Sequence, residues 1–392
     1  MRNEPAIAAA TEIAPGRYPD LDEMELHSRV LEAFLGQWDV RPSDIDGVLA
    51  APTGVLNEGG AEVAVHEKVA SELGVHPRFS QTMYAGGATY ALMVARAVAA
   101  IAMEQAETVL CITAGKFPKV GAASGERIAK FVSHPEFEYP YGTYIPVLYA
   151  LFAQRWMAET GATGEDLAAV AVAQRQWALL HPDAFMRDKG PLTVQDVLSS
   201  RLVATPFHLY DCSVPLEGGA ALLVTTGEKA RRINDRPAYV LGHGELHFED
   251  AVSYRQRFDS GGAERCAEQA FAMAGLGPPD IDVVQLYDSF SSNPLMYLEE
   301  CGFVERGCAA QLVRSGATGP GGTLPVNTYG GLLSFGHTGD ASGMSMIVEG
   351  ALQVMARAAA RQVPGASTAL VHCHGGMLSE HATLILADRS QA

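Results

Sequence analysis

Two stretches of this chain are so densely apolar that no polar face remains, and both run through the same order of elements. Residues 84–114, YAGGATYALMVARAVAAIAMEQAETVLCITA, predict a glycine-rich turn, a helix, a short polar break and a strand through Val109, Leu110, Cys111 and Ile112. Residues 336–373, GHTGDASGMSMIVEGALQVMARAAARQVPGASTALVHC, repeat that order, with the strand at Ala369, Leu370, Val371 and His372. In the first helix Leu92, Met93, Val94, Ala95, Val98, Ala99 and Ile101 surround the axis, and only Arg96 interrupts them. A helix that is apolar all round is buried between layers, and at about four to five turns it is too short to cross a bilayer. The chain therefore reads as a duplicated α/β protein in which buried helices are sandwiched between two sheets.

The segment 116–210 breaks this pattern, with aromatic and charged residues such as Phe131, Tyr139, Tyr141, Tyr144, Trp156 and Trp177. It predicts helices near 145–160 and 164–180 and reads as a cap on the first half. The strand-like AYVLGHGEL from Ala238 opens the second half, so the boundary falls near 235: an N-terminal half over 1–235 and a C-terminal half over 236–392. With 392 residues, 48% of them hydrophobic, the chain is long enough for two or three domain-sized units. Its 28 basic and 45 acidic residues leave a net charge of −17, which argues against nucleic acid or an anionic membrane surface as partner. The N-terminal apolar patch is interrupted by Glu12 and Pro15, and a cytoplasmic protein is expected. Six cysteines without a CxxC pair fit reduced thiols, not a disulfide framework or a zinc site.

Four segments carry a resemblance: QTMYAGGATYAL at 81–92, CSVPLEGGAALLV at 212–224, LYDSFSSNPLMYLEECGF at 286–303 and NTYGGLLSFGHTGDASG at 327–343. In this order and spacing they resemble the thiolase superfamily, within it the branch related to the thiolase domain of sterol carrier protein. The resemblance implies the thiolase fold, a duplicated αβαβα layering with buried central helices. Thiolases hold a nucleophilic cysteine at the start of the first buried helix, where backbone N–H groups and the helix dipole favour a thiolate. The matching position here is Tyr84, followed by Ala85, Gly86 and Gly87. A phenol stays protonated at ordinary pH and is a poor acyl carrier, so Tyr84, Gly86 and Gly87 are expected to shape the substrate pocket. Tyr287-Asp288-Ser289-Phe290 stands where the sterol-carrier branch has His-Asp-Cys-Phe, and Gly336-His337-Thr338 keeps the histidine that polarises the thioester carbonyl in thiolases. Asn327, Tyr329, Gly330 and Gly331 lie just upstream of His337 and are assigned to the same site. The thiolase Cys-x-Gly motif aligns with Cys373, which either faces the site as a base or is an ordinary buried strand residue.

A retained thioester-polarising histidine without a nucleophile fits retro-aldol cleavage of a β-hydroxyacyl-CoA. A base takes the hydroxyl proton, the Cα–Cβ bond breaks, and donors hold the enolate. Tyr287 and Tyr329 are the candidate proton carriers and His337 the enolate donor. Cys373 and Asp288 complete the catalytic candidates, with capping of the following segment as the alternative for Asp288. The run PGGTLPVNTYGG at 320–331 looks like that of bacterial thiolase-like aldolases that remove steroid side chains. This resemblance implies a bulky substrate, no cofactor beyond the CoA of the substrate, a homodimer, and a small OB-fold partner with a zinc ribbon in an α2β2 complex. Lys116, Lys119 and Arg127 are the candidates for the CoA phosphates, because the rest of the chain is so acidic. Two other readings stay open: an acyltransferase using Cys373 or another cysteine, and a non-catalytic acyl-CoA-binding subunit. In His372-Cys373-His374 alternate strand residues share a face and no third metal ligand is evident, so the histidines read as structural.

Overall fold

The two all-apolar segments form helices Thr89–Ala102 and Ser342–Val354, which lie side by side at the centre of the molecule. Every residue of the second helix except Leu352 is buried. The computed structural model describes residues 4–55, 60–118 and 122–389. The strands in chain order are β1 (Pro5–Glu12), β2 (Gly47–Ala50), β3 (Phe79–Thr82), β4 (Thr108–Lys116), β5 (Leu202–Ala204), β6 (Phe207–His208), β7 (Glu217–Thr226), β8 (Ala238–His247), β9 (Val283–Leu286), β10 (Thr368–Gly375) and β11 (Glu380–Ala387). All but β5 and β6 join one sheet in the order β3-β2-β4-β7-β1-β8-β11-β10-β9.

The two expected sheets are thus continuous: the half-sheets meet where β1 pairs with β8 at Ala6 with Tyr239 and Ile7 with Ala238. Pairing there satisfies backbone groups that two free edges would leave open, and small alanines at 6 and 8 leave room for the Tyr239 ring. The helix pair touches strands of both halves, since Thr89–Ala102 packs on β4 and β7 and also on β10 and β11. Strand β4 is buried along its length up to Gly115 because helix Glu23–Gln37 covers one face and the central helix the other, which is why it reads as an unbroken apolar run. No helix among the described residues is long and apolar enough to cross a membrane.

The cap contains helices Ala122–Val132, Ile145–Thr160, Gly164–Ala178 and Val194–Ser199, and the β5-β6 pair. It interrupts the first half in sequence but packs on the second, a correction to the expected arrangement. Leu148, Phe152 and Trp156 share a core with Phe290, Leu295 and Met296, and Trp156 Nε1 donates to Glu299 at 2.9 Å. The cap aromatics need an apolar wall, and helix Ser292–Glu300 supplies it.

Glu349 of the second central helix is buried and is held by Arg361 at 2.8 Å, Thr328 Oγ1 at 2.7 Å and Gln353 Nε2 at 3.0 Å. The Arg361 guanidinium pulls its carboxyl below the usual range against the effect of burial. Arg361→Met strands that charge, and urea denaturation is expected to show a loss of about 3–5 kcal/mol. A loss under about 1 kcal/mol would contradict the assigned pairing.

Candidate active site

A cavity of about 360 Å³ opens between the cap and the ends of the central helices. Phe117, Phe131, Val132, Ile145 and Phe290 give it apolar walls, and Tyr287, His337, Ser342 and His374 are among its polar lining residues. Tyr84, Gly86 and Gly87 form the rim at the start of the first central helix, with Tyr84 44% exposed. Thr89 Oγ1 braces that turn, donating to Gly86 O at 2.6 Å and accepting from the Ala85 N–H at 2.7 Å.

Tyr287 emerges from the end of β9, where its N–H donates to His372 O at 3.0 Å. Its hydroxyl lies 2.7 Å from Ser342 Oγ and 3.2 Å from His337 Nε2. Burial pushes the Tyr287 phenol above its ordinary range, and the same cause lowers His337 to about 4. At neutral pH the pair is therefore a phenol beside an uncharged imidazole. The His337 backbone is fixed by two bonds, its N–H to Val214 O at 2.7 Å and its carbonyl from the Leu216 N–H at 2.8 Å. Phe117 stands edge-on to its ring, with centroids 5.4 Å apart.

The other expected site residues lie behind this surface. Asp288 is buried and accepts from the N–H groups of Leu332 (2.9 Å) and Leu333 (3.2 Å), so it anchors the segment that leads to His337. Burial raises its carboxyl to about 8. Gly331 lets it come so close, since a Cβ there would sit 2.2 Å from Asp288 Oδ2. Asn327 pairs with both backbone groups of Leu286, its Oδ1 accepting at 2.7 Å and its Nδ2 donating at 2.9 Å, and so extends the sheet beside β9. Gly330 packs on Ala178. Tyr329 is buried against Phe335 with its hydroxyl unbonded, away from the cavity wall. Cys373 is buried with Sγ 3.8 Å from Gly343 O, and burial pushes its thiol up, the opposite of what a nucleophile or base needs. Strand alternation turns its neighbour His374 to the cavity instead.

Of the three cations assigned to CoA, Lys116 donates to Tyr18 O at 2.7 Å, bonds Leu21 O, and lies 3.6 Å from Glu217. It is committed within the fold and does not reach the cavity. Arg127 sits on helix Ala122–Val132, off the cavity wall, and Lys119 lies outside the described residues. Sequence reading missed Ser342, His374 and Tyr149. The serine hides inside the second apolar segment, and Tyr149 comes from the cap, with no local signal that its hydroxyl reaches β10.

Gly87 is where the first helix and Tyr287 meet: a Cβ there would lie 2.3 Å from the Tyr287 ring and 2.4 Å from His374 O. Gly87→Ala is expected to displace Tyr287 and lower kcat about 100-fold, at a cost of about 1–3 kcal/mol in stability. Steady-state kinetics with a melting curve checks this; unchanged kcat would show that the ring is not clamped.

A family description, thiolase C-terminal domain-like, matches residues 244–388. The chain is 31% identical to an acetyl-CoA acetyltransferase of Methanothermobacter thermautotrophicus, over 93% of this chain and 95% of that one. It is also 31% identical to a steroid side-chain-cleaving aldolase of Thermomonospora curvata, over 94% of each. Among solved structures, the Ltp2-ChsH2(DUF35) aldolase superposes with a TM-score of 0.85 at 30% identity, over 100% of this chain and 99% of that one.

Proposed function

Because this chain belongs to the thiolase superfamily, in the branch that includes steroid side-chain-cleaving aldolases, we propose that it cleaves a carbon–carbon bond in a β-hydroxyacyl-CoA, releasing a ketone or aldehyde and a shorter acyl-CoA. One observation carries the choice between its acetyltransferase and aldolase relatives. Tyr84 stands at the helix start where thiolases have their nucleophile, and among the described residues no cysteine lines the cavity, whereas the Tyr287–His337 pair does. Acyl transfer needs a thiolate to take the acyl group; release of a ketone does not.

The pair suits a proton relay. The substrate hydroxyl gives its proton to the Tyr287 oxygen as Tyr287 passes its own to His337 Nε2, and the Cα–Cβ electrons move into the thioester enolate. The ketone leaves, and the imidazolium returns the proton through Tyr287 to Cα. One proton travels from the β-oxygen to the α-carbon with none taken up. A relay of this kind never requires free tyrosinate, which burial disfavours. The apolar walls suit a bulky, polycyclic or branched substrate. The DUF35-containing aldolase neighbour supports a heteromeric assembly, and we assign a zinc-ribbon OB-fold partner in an α2β2 arrangement. Six unbridged cysteines fit a reducing compartment, and we place the enzyme in the cytoplasm.

The test is a cleavage assay with β-hydroxyacyl-CoA thioesters carrying branched or steroid side chains, with and without the co-expressed partner, before and after iodoacetamide. Ketone and shorter acyl-CoA are expected in equal amounts, and alkylation is expected to leave the rate intact. Acyl transfer that iodoacetamide abolishes would overturn the proposal.

A further inference from the structure

His374 lines the cavity, yet neither of its ring nitrogens is available to a substrate. Nε2 lies 2.8 Å from the Tyr149 hydroxyl and Nδ1 lies 2.6 Å from the Tyr297 hydroxyl. Tyr149 spends its one proton on Gly376 O at 2.8 Å, so it can only accept from His374. Nε2 therefore carries the ring proton, and Nδ1 accepts from Tyr297. Burial holds the imidazole well below its ordinary pKa, which agrees with this neutral tautomer. The bracket draws on three separate elements: Tyr149 on cap helix Ile145–Thr160, Tyr297 on helix Ser292–Glu300, and His374 on β10.

What this immobilised ring touches is Tyr287. The two centroids lie 4.5 Å apart at 61°, and the side of Tyr287 toward Gly87 has no room for even a Cβ. The phenol is pinned between a rigid imidazole and the start of the first central helix, and its hydroxyl is left one direction, toward Ser342 and His337. We propose that the Tyr149–His374–Tyr297 bracket is a positioning device, with His374 as the positioning residue, that fixes Tyr287 for proton transfer and ties its alignment to the docking of the cap. This inference rests on the lyase reading and on Tyr287 as its proton carrier.

The experiment is a double-mutant cycle under single-turnover conditions, with the same β-hydroxyacyl-CoA substrate. The parent protein is measured first, and no cleavage there would sink the lyase reading itself; cleavage that Tyr287→Phe leaves unchanged would remove Tyr287 as the proton carrier, and the bracket's role with it. With Tyr287 present, His374→Gln and Tyr297→Phe are each expected to lower the rate about 10- to 100-fold with KM held within about twofold. In the Tyr287→Phe background the same two substitutions are expected to change the residual rate less than about twofold, because the residue they act through is gone. Tyr149→Phe, which keeps its ring, serves as a third probe if His374→Gln does not fold. Equal losses in both backgrounds, or unchanged rates for Tyr297→Phe and Tyr149→Phe in folded protein, would overturn the positioning role.

Discussion

Tyr287→Phe is expected to lower carbon–carbon cleavage by about 10²- to 10⁴-fold while the protein stays folded. The substitution leaves the ring against His374 and Gly87 and removes only the oxygen that links the substrate hydroxyl to His337 Nε2. The lost bond to Ser342 costs about 1 kcal/mol, too little to unfold a protein of ordinary stability. Substrate binding is expected to persist, since the apolar walls and the rim at Tyr84 are untouched, so the loss falls on kcat. Quantifying ketone release by chromatography, with a melting curve on the same sample, separates lost chemistry from lost structure. A rate within about tenfold of the parent protein would remove Tyr287 from the proton path.

The second large effect is acid unfolding. His27, His372, His374 and His381 are all buried and all held below the ordinary histidine pKa, His27 and His381 at about 4, chiefly by burial. Their partners fix neutral tautomers. His27 Nε2 accepts from the Ala114 N–H at 3.1 Å, and His381 Nε2 donates to Leu378 O at 3.0 Å while its Nδ1 faces His372 Nε2 at 3.2 Å. A second proton on His27 would face the Ala114 N–H, and on the other three rings it would have to turn round a hydroxyl or imidazole partner in a buried, uncharged setting. Below pH 6.5 the unfolded chain binds protons that the native protein refuses, so stability falls as pH falls toward the native values. Asp288 works in the opposite direction: its native value is raised to about 8, so its contribution is present at low pH and lost as pH rises through 8. His181 and His337, also lowered to about 4 by burial, add to the imbalance, while Glu12 and Glu300, raised by burial to about 8 and about 7, act with Asp288. In the window from about 6.5 down to 4 these six rings less the three carboxyls leave an excess approaching three protons, a slope of about 4 kcal/mol per pH unit. Urea titrations between pH 5 and 7.5 are expected to show the midpoint dropping steeply below 6.5. A flat profile across that range would mean that these rings are hydrated or charged in the native state.

The sequence by itself determined the duplicated architecture, because a helix that is apolar on all sides has nowhere to go but between layers, and two such helices each followed by an apolar strand admit few arrangements. It also pointed to Tyr84 at the turn before the first central helix, which the structure places on the cavity rim, with no cysteine among the described residues lining that cavity. Tyr287 and His337 were legible in the same way. Only the tertiary structure decided which neighbours share their cavity. Tyr329, Asn327 and Asp288 are adjacent to the site along the chain, but a turn and a short helix direct them into the core, where Tyr329 packs on Phe335, Asn327 holds Leu286 and Asp288 holds the segment before His337. One step of strand alternation exchanged Cys373 for His374, a difference of direction and not of composition. The cap packed on the half it does not interrupt, because its aromatics follow the available apolar wall and not the order of the chain. The bracket around His374 is built from residues 149, 297 and 374, and sequence distances of that size leave no local periodicity to read: such contacts exist only after the sheet and the cap have closed on each other.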